Sequence, residues 1–256
     1  MTHIKRILFS ISAVVFLIFI SGCQSHENFI DQKKETYYVQ YYEYMKQLEA
    51  LETQAFNHAV KIQIDVSSTK TIFGSGVIFE SENNKHYILT NYHLVYDETI
   101  HQSIFVFDYL EHKFQATYVY GNPEYDLAIL VYEDNSQAYT DIRIKNTLPN
   151  EMIGTYIAGF PKGESYQFSY GNYTNLKVVT LKGDIGNLIQ VSFEVMSIQL
   201  QSFNGSSGSA VYHLDGELMG IVFAGNQLIE TLAETYVISS FHVQLFLDLY
   251  HEQKTT

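Results

Sequence analysis

The stretch that decides the fold is Val60–Val66, Val-Lys-Ile-Gln-Ile-Asp-Val, in which apolar and polar residues alternate. A period of two is typical of a β-strand with one face in a core. Further short β-rich runs follow, separated by Gly, Asn, Asp or Pro: TIFGSGVIF, HYILT, SIFVFDYL, FQATYVY, LAILVY, GTYIAGF, LIQVSFEV, SAVYHL and LMGIVFAG. Many short strands with almost no helix predict an all-β sandwich or barrel. Beyond residue 66, a helix is expected only at Ser240–Glu252.

The composition indicates a folded protein that does not bind nucleic acid. With 256 residues, 46% of them hydrophobic and 17% charged, the chain is long enough for one all-β unit of double-barrel size. Its net charge is -13 and its pI is near 5.1. Nucleic-acid binding needs clustered Lys and Arg that neutralise phosphates, and the sequence has no such cluster.

The N-terminus has the order of a secretory signal. Two basic residues precede a predominantly apolar run, Ile7–Ile20, which is too short to span a membrane comfortably. The segment Ile20–Cys23 resembles the lipobox of bacterial lipoproteins, which predicts a lipoprotein signal peptide over residues 1–22 and a lipid on Cys23. The chain would then be lipid-anchored at the extracytoplasmic face of the cell membrane. The alternative is an uncleaved signal anchor. Cys23 is the only cysteine, so no intramolecular disulfide can form.

Two segments separate this signal from the strands. Residues 23–36 are predicted as a polar tether and residues 37–59 as an amphipathic helix, because apolar residues recur there at spacings of four and three. That stripe consists of Tyr37, Tyr41, Tyr44, Leu48, Leu51 and Ala55. We expect the helix to lie against the domain formed by residues 60–256, with self-association through residues 37–55 as the alternative.

A histidine lies at the end of one strand-like run, and an aspartate stands directly before another. His93 comes at the end of Ile88–Val95, so a strand would deliver its imidazole to the rim of a barrel, where it can act as a general base. Asp126 stands directly before the apolar run Leu127–Leu130, where its carboxylate could accept the Nδ1 proton of an imidazole. The ordinary reading of Asp126 alone is a turn residue.

A serine in a glycine-rich loop completes the set. In Asn204–Val211, glycines stand two positions before and one position after Ser207. A serine nucleophile needs such a tight turn, which exposes Oγ and aims backbone N–H groups at a developing oxyanion. Ser206 fits less well because Asn204 stands two positions before it. Strand and helix do not alternate around the loop, which argues against an α/β-hydrolase.

Together these motifs resemble those of chymotrypsin-fold serine proteases, and most closely the bacterial HtrA/Deg proteases and the glutamyl endopeptidases. Five segments carry the resemblance, in the same chain order as in those families: Thr90–Val95 (Thr-Asn-x-His-x-Val), Asp126–Leu130 (Asp-Leu-Ala-Ile-Leu), Gly159–Pro161, Gly205–Ala210 and Tyr236–Ser240.

The resemblance implies two six-stranded antiparallel β-barrels, with an N-terminal and a C-terminal helix and a catalytic triad of His93, Asp126 and Ser207. It also implies an oxyanion hole from the N–H groups of Gly205 and Ser207. The expected activity is that of a serine endopeptidase acting on unfolded or extended proteins at the outer face of the membrane. No cofactor is needed, and no Cys/His set with zinc spacing is present. The alternative is a catalytically inactive protease fold that binds partners in the cell envelope.

The chain departs from both groups. Because the final helix expected of the catalytic domain falls near the last residues, we expect no regulation through the PDZ domain that usually follows in HtrA proteins. Val222 stands where glutamyl endopeptidases have a pocket histidine. The resemblance assigns the specificity pocket to Gln201, Ser202, Phe223 and Gly225. None of these is charged, so we expect cleavage after Val, Ala, Leu or Met.

Overall fold

The structure is a computed structural model that describes residues 31–95, 103–147, 152–182, 188–226 and 233–255. The expected signal peptide and Cys23 lie outside the described residues. The chain divides into two compact units, Met1–Glu49 and Ala50–Thr256. None of the helices in the described ranges is long and apolar enough to cross a bilayer.

The first helix, α1, covers residues 31–58, so the expected tether is helical from residue 31 onward. In the first unit its aromatic side chains are exposed, including Tyr37 (66%) and Tyr41 (54%). In the second unit Leu51 and Ala55 are buried.

Two closed six-stranded antiparallel barrels make up the body of the second unit, as in the chymotrypsin-like fold. In the first barrel the strand order is β1-β2-β3-β6-β5-β4. Its strands are β1 (Ala59–Ser67), β2 (Lys70–Glu82), β3 (Lys85–Thr90), β4 (Ser103–Phe107), β5 (Lys113–Asn122) and β6 (Leu127–Glu133). Val60, Ile62 and Ile64 of β1 are fully buried and belong to its core, as the alternation predicts. The all-β prediction of two barrels is therefore confirmed.

The second barrel has the order β11-β14-β13-β12-β7-β8. Its strands are β7 (Gly154–Gly159), β8 (Gln167–Lys177), β11 (Val195–Gln199), β12 (Ala210–Tyr212), β13 (Leu218–Asn226) and β14 (Glu234–Ser239). A separate two-stranded sheet joins β9 (Thr180–Lys182) to β10 (Leu188–Gln190). The predicted C-terminal helix is present as α3 (Ser240–Thr255).

One predicted strand is divided in the structure. The run LIQVSFEV spans β10 and the start of β11, and residues 191–194 between them are not in a strand. Within this break the ring of Phe193 stacks on the imidazole of His242 in α3, with centroids 3.7 Å apart. β10 and β11 belong to different sheets, and an alternation pattern cannot report either that separation or this long-range contact.

Candidate active site

His93 lies in a short helix rather than at the end of a strand, which corrects the sequence prediction. β3 ends at Thr90, and α2 (Tyr92–Val95) forms a single helical turn that carries the histidine. The turn forms because Asp126 supplies acceptors to it: its carbonyl oxygen accepts from Tyr92 N (3.1 Å) and from Asn91 Nδ2 (3.1 Å). These bonds replace the ladder at the end of β3, and they join residues that are 34 (Tyr92) and 35 (Asn91) positions from Asp126 in the chain.

The carboxylate of Asp126 holds the imidazole of His93. Oδ2 lies 2.7 Å from His93 Nδ1, and Oδ1 accepts from the His93 backbone N–H at 2.9 Å. Asp126 adopts φ = 50°, a left-handed conformation that Asp tolerates better than most residues. The side chain of Asp126 is 7% exposed and that of His93 is 25% exposed. The pair therefore has a buried acidic end and an imidazole that solvent or substrate can approach.

Ser207 occupies a loop with two glycines in positive-φ conformations, Gly205 (89°) and Gly208 (88°). A side chain at Gly208 would meet Ser75 O at 1.8 Å and Thr90 Oγ1 at 2.6 Å. The loop therefore lies directly against the end of β3, three residues before His93. Only glycine allows this approach, which places the serine loop of the second barrel beside the histidine segment of the first.

The backbone N–H groups of this loop differ in whether they have an acceptor. Those of Ser206, Gly208 and Ser209 donate to carbonyl oxygens, whereas those of Gly205 and Ser207 donate to no residue in the described part of the chain. The peptide before each free N–H is held by its carbonyl: Asn204 O accepts from Lys162 N (2.5 Å), and Ser206 O accepts from Ser209 N (3.0 Å). In a trans peptide the N–H points away from the C=O, so both free donors are fixed in direction.

The hydroxyl of Ser207 is half-buried and donates to the carbonyl oxygen of Phe223 at 3.4 Å. That distance is at the weak end of the hydrogen-bond range. The hydroxyl is thus not committed to a strong partner, and rotation about χ1 can turn it toward a base. Catalytic hydrogen bonds are often formed only in the complex with substrate.

A cavity opens beside the loop. Thirteen residues line it: Ile157, Gly159, Pro161, Gln167, Ser169, Leu200, Gln201, Ser202, Phe203, Ser206, Ser209, Val222 and Thr235. Gln201 and Ser202, which the family resemblance assigns to a specificity pocket, are among them, whereas Phe223 and Gly225 are not. Gly225 instead lies against Ser202, because a Cβ there would come within 1.8 Å of Ser202 Oγ.

Comparison with known proteins identifies the family. Residues 74–221 match the trypsin-like peptidase domain. The chain belongs to this family. No curated protein sequence matches the chain. In the described part of this trypsin-like peptidase, no three His, Cys, Asp or Glu side chains are grouped to hold a metal ion.

Solved structures share the fold of this trypsin-like peptidase. The active form of the Rv3671c protease from M. tuberculosis is similar with a TM-score of 0.64 and 20% identity, over 77% of this chain and 82% of that chain. The serine endoprotease from Yersinia pestis is similar with a TM-score of 0.59 and 23% identity, over 77% of this chain and 64% of that chain.

The contributions of two residues to the site were not predicted from the sequence. The first is Lys162, whose N–H holds Asn204 O from a 3₁₀ turn (Pro161–Gly163), and no local pattern indicates that contact. The second is Ser75, whose buried hydroxyl bonds both to Gly205 and to Phe160. A signal for Ser75 was present: a polar residue between two glycines within a strand marks a close backbone approach.

Proposed function

We propose that this trypsin-like peptidase is a serine endopeptidase with His93, Asp126 and Ser207 as its catalytic triad. The observation that carries the proposal is the serine loop beside the histidine. Two N–H groups of the loop have a fixed direction and no acceptor among the described residues, and Nδ1 of the histidine is bonded to a buried carboxylate. The first feature suits an oxyanion, and the second suits a general base with a fixed tautomer.

The proposed reaction follows from these positions. Ser207 Oγ attacks the scissile carbonyl carbon while His93 Nε2 takes the hydroxyl proton, and Asp126 balances the imidazolium that forms. The oxyanion accepts hydrogen bonds from Gly205 N and Ser207 N. The imidazolium then gives its proton to the leaving amine, and a water molecule, deprotonated by His93, hydrolyses the acyl-enzyme. Since the scissile bond must reach Ser207 Oγ and the two N–H groups together, a substrate has to present an extended backbone, and unfolded or extended proteins are the proposed substrates.

Hydrolysis of casein by single-residue variants tests this function. We expect Ser207→Ala to abolish hydrolysis while the melting temperature changes little, because only one half-buried hydroxyl with a weak bond is lost. Ser206→Ala is the matched control. It loses the bond from Phe203 N to Ser206 Oγ (3.1 Å) but keeps the proposed nucleophile, so most of the activity should remain. Full activity in Ser207→Ala would disprove the triad.

One observation favours the second candidate, an inactive protease fold that binds envelope partners. The Ser207 hydroxyl bonds to Phe223 O rather than to the imidazole of His93. For this candidate, wild-type protein would hydrolyse casein no faster than Ser207→Ala. The same assay therefore separates the two functions.

The pocket supports a preference for uncharged side chains. No Asp, Glu, Lys, Arg or His occurs among the described residues that line the cavity. A buried Arg or Glu of the substrate would lose its hydration without gaining a counterion, which costs several kcal/mol. We propose cleavage after Val, Ala, Leu or Met. A majority of mass-spectrometric cut sites after charged residues would refute it.

We also propose that a lipid on Cys23 anchors the enzyme to the outer face of the cell membrane, as a bacterial lipoprotein. The sequence Ile20–Cys23 supports this proposal. Cys23→Ser should release active enzyme from the membrane fraction, because the acyl chains supply the affinity for the bilayer. Retention of Cys23→Ser after a carbonate wash would instead indicate an uncleaved anchor.

A further inference from the structure

The hydroxyl of Ser75 is fully buried and has two partners on the other barrel. Ser75 lies in β2 of the first barrel, with 0% exposure. Its Oγ donates to Gly205 O at 2.8 Å and accepts from Phe160 N at 2.8 Å. One hydroxyl thus links the serine loop to the segment that leads into the turn of Lys162.

The backbone of Ser75 contacts the same region. Its N–H donates to Ser207 O (2.8 Å), and its carbonyl accepts from Thr90 Oγ1 (2.8 Å). Every polar group of Ser75 is therefore bonded to the serine loop, to the segment at Phe160 or to the strand that precedes His93.

These bonds bear on Gly205, the residue of the proposed oxyanion hole whose backbone is not restricted by a side chain of its own. Gly205 has no Cβ, so its φ of 89° is set by its surroundings and not by its own sterics. The peptide before it is held by Lys162 N, and the peptide after it is held by Ser75 Oγ. Because Phe160 also bonds to Ser75, the loss of this hydroxyl would loosen the second restraint directly and the first through the turn.

We infer that the Ser75 hydroxyl is a positioning group that holds the Gly205 N–H in the direction of the oxyanion. The inference rests on the proposed function and deepens it. A hydroxyl that served only packing would affect the melting temperature alone. A hydroxyl that positions an oxyanion donor affects the transition state more than the bound substrate, which kinetics can distinguish.

The test compares Ser75→Ala with Thr155→Val, using a peptide substrate and a peptide boronate that forms a tetrahedral adduct. Thr155 is a matched control, because its fully buried hydroxyl donates to Gly171 O (2.9 Å) and it does not line the cavity. For Ser75→Ala we expect kcat and boronate affinity to fall at least about tenfold while KM changes less than about twofold. Thr155→Val should lower the melting temperature only. Wild-type kcat and boronate affinity in Ser75→Ala would overturn the inference.

Two further measurements keep the inference testable. If Ser75→Ala does not fold, Ser75→Cys fills nearly the same volume with a weaker donor. In this variant kcat should again fall more than KM changes, but by a smaller factor than in Ser75→Ala. If wild-type protein does not hydrolyse peptides, the proposed function fails and the inference is decided by crystallography. The Asn204–Gly205 peptide, which carries the Gly205 N–H, should then rotate in the Ser75 variant relative to wild type, and an unchanged peptide would refute the role.

Discussion

The two halves of the candidate site are held in different ways. On the first barrel, Asp126 bonds to His93 through both carboxylate oxygens and to Asn91 and Tyr92 through its carbonyl. One residue thus fixes the whole histidine turn. On the second barrel, the serine loop is held mainly by groups outside it.

The outside groups come from three places. Lys162 and Ser75 hold the carbonyls on either side of Gly205, and the Ser207 hydroxyl donates weakly to Phe223 O. The histidine half therefore depends on one residue, whereas the serine half depends on several distant contacts. Substitutions in the two halves should therefore differ in their effects on activity and stability.

The largest effect should come from the histidine half. Asp126→Asn would present an amide N–H to His93 Nδ1 and stabilise the tautomer with its proton on Nε2, which cannot act as a base. We expect kcat/KM for a peptide substrate to fall about 10⁴-fold while the fold is kept. Asp65→Asn is the control, since Asp65 also lies on the first barrel and accepts bonds from Gln63 and Thr71. A loss of less than tenfold in Asp126→Asn would show that this carboxylate does not orient a catalytic base.

A smaller effect is expected from the serine half. At Gly205 a Cβ would lie 2.8 Å from the backbone nitrogens of both Lys162 and Gly163. Gly205→Ala should therefore shift the loop, lowering kcat about 10²-fold and also reducing stability. Steady-state kinetics and thermal melting measure the two losses.

Gly216 provides the control for this backbone strain. Its φ is 84°, close to that of Gly205, but its Cβ would meet only the flexible side chain of Gln54. Gly216→Ala should lose about 1 kcal/mol of stability and keep the wild-type kcat. Equal kcat in the two alanine variants would show that the serine loop tolerates displacement, which contradicts the expected dependence of this half on its distant contacts.

The smallest effect should come from an ion cluster that touches neither half. Lys145 Nζ lies 2.9 Å from both Asp215 Oδ2 and Glu217 Oε2. Burial raises the pKa of Asp215, but the hydrogen bond from Lys145 and the bonds from Glu217 N and His213 outweigh it and leave the pKa below 3.8. Since the folded-state pKa is lowered, the stabilisation is present above pH 3.8 and is lost as the pH falls further.

Lys145→Met should therefore cost about 1 kcal/mol or less in the free energy of unfolding at pH 7, with kcat unchanged. The difference from wild type should shrink as the pH is lowered through the acid range, where Asp215 becomes protonated. Chemical denaturation at several pH values measures it. A difference that persists undiminished at pH 2 would contradict a stabilisation by charge.

The sequence predicted the parts of the fold that rest on local patterns. The alternation in β1 and the apolar run of β6 are local and correspond to strands in the structure. β8 was not predicted, because its Asn, Gly and Ser residues hide the alternation and its pairing with β7 and β11 is a long-range property. The residues within each motif were predicted because they are adjacent in the chain. The helical turn of His93 was missed because its hydrogen bonds come from Asp126, which is distant in the sequence.

The candidate site likewise combines residues that local motifs predict with residues that only the fold brings together. Three motifs in chain order indicated His93, Asp126 and Ser207, and the fold brings the Asp126 carboxylate to the His93 imidazole at 2.7 Å. The rest of the cavity wall includes Gln167 from β8 and Thr235 from β14. Neither stands near Gln201 in the chain, so only closure of the barrel relates these residues to each other.

The most direct measurement is identification of the residue that reacts with a fluorophosphonate probe, by mass spectrometry of the labelled peptide. An activated serine reacts with such a probe, and activation requires a base and an oxyanion hole together. We predict a single adduct on Ser207 in wild-type protein and none in His93→Ala. An adduct on Ser206, no adduct in wild type, or undiminished labelling in His93→Ala would contradict the assignment of nucleophile and base.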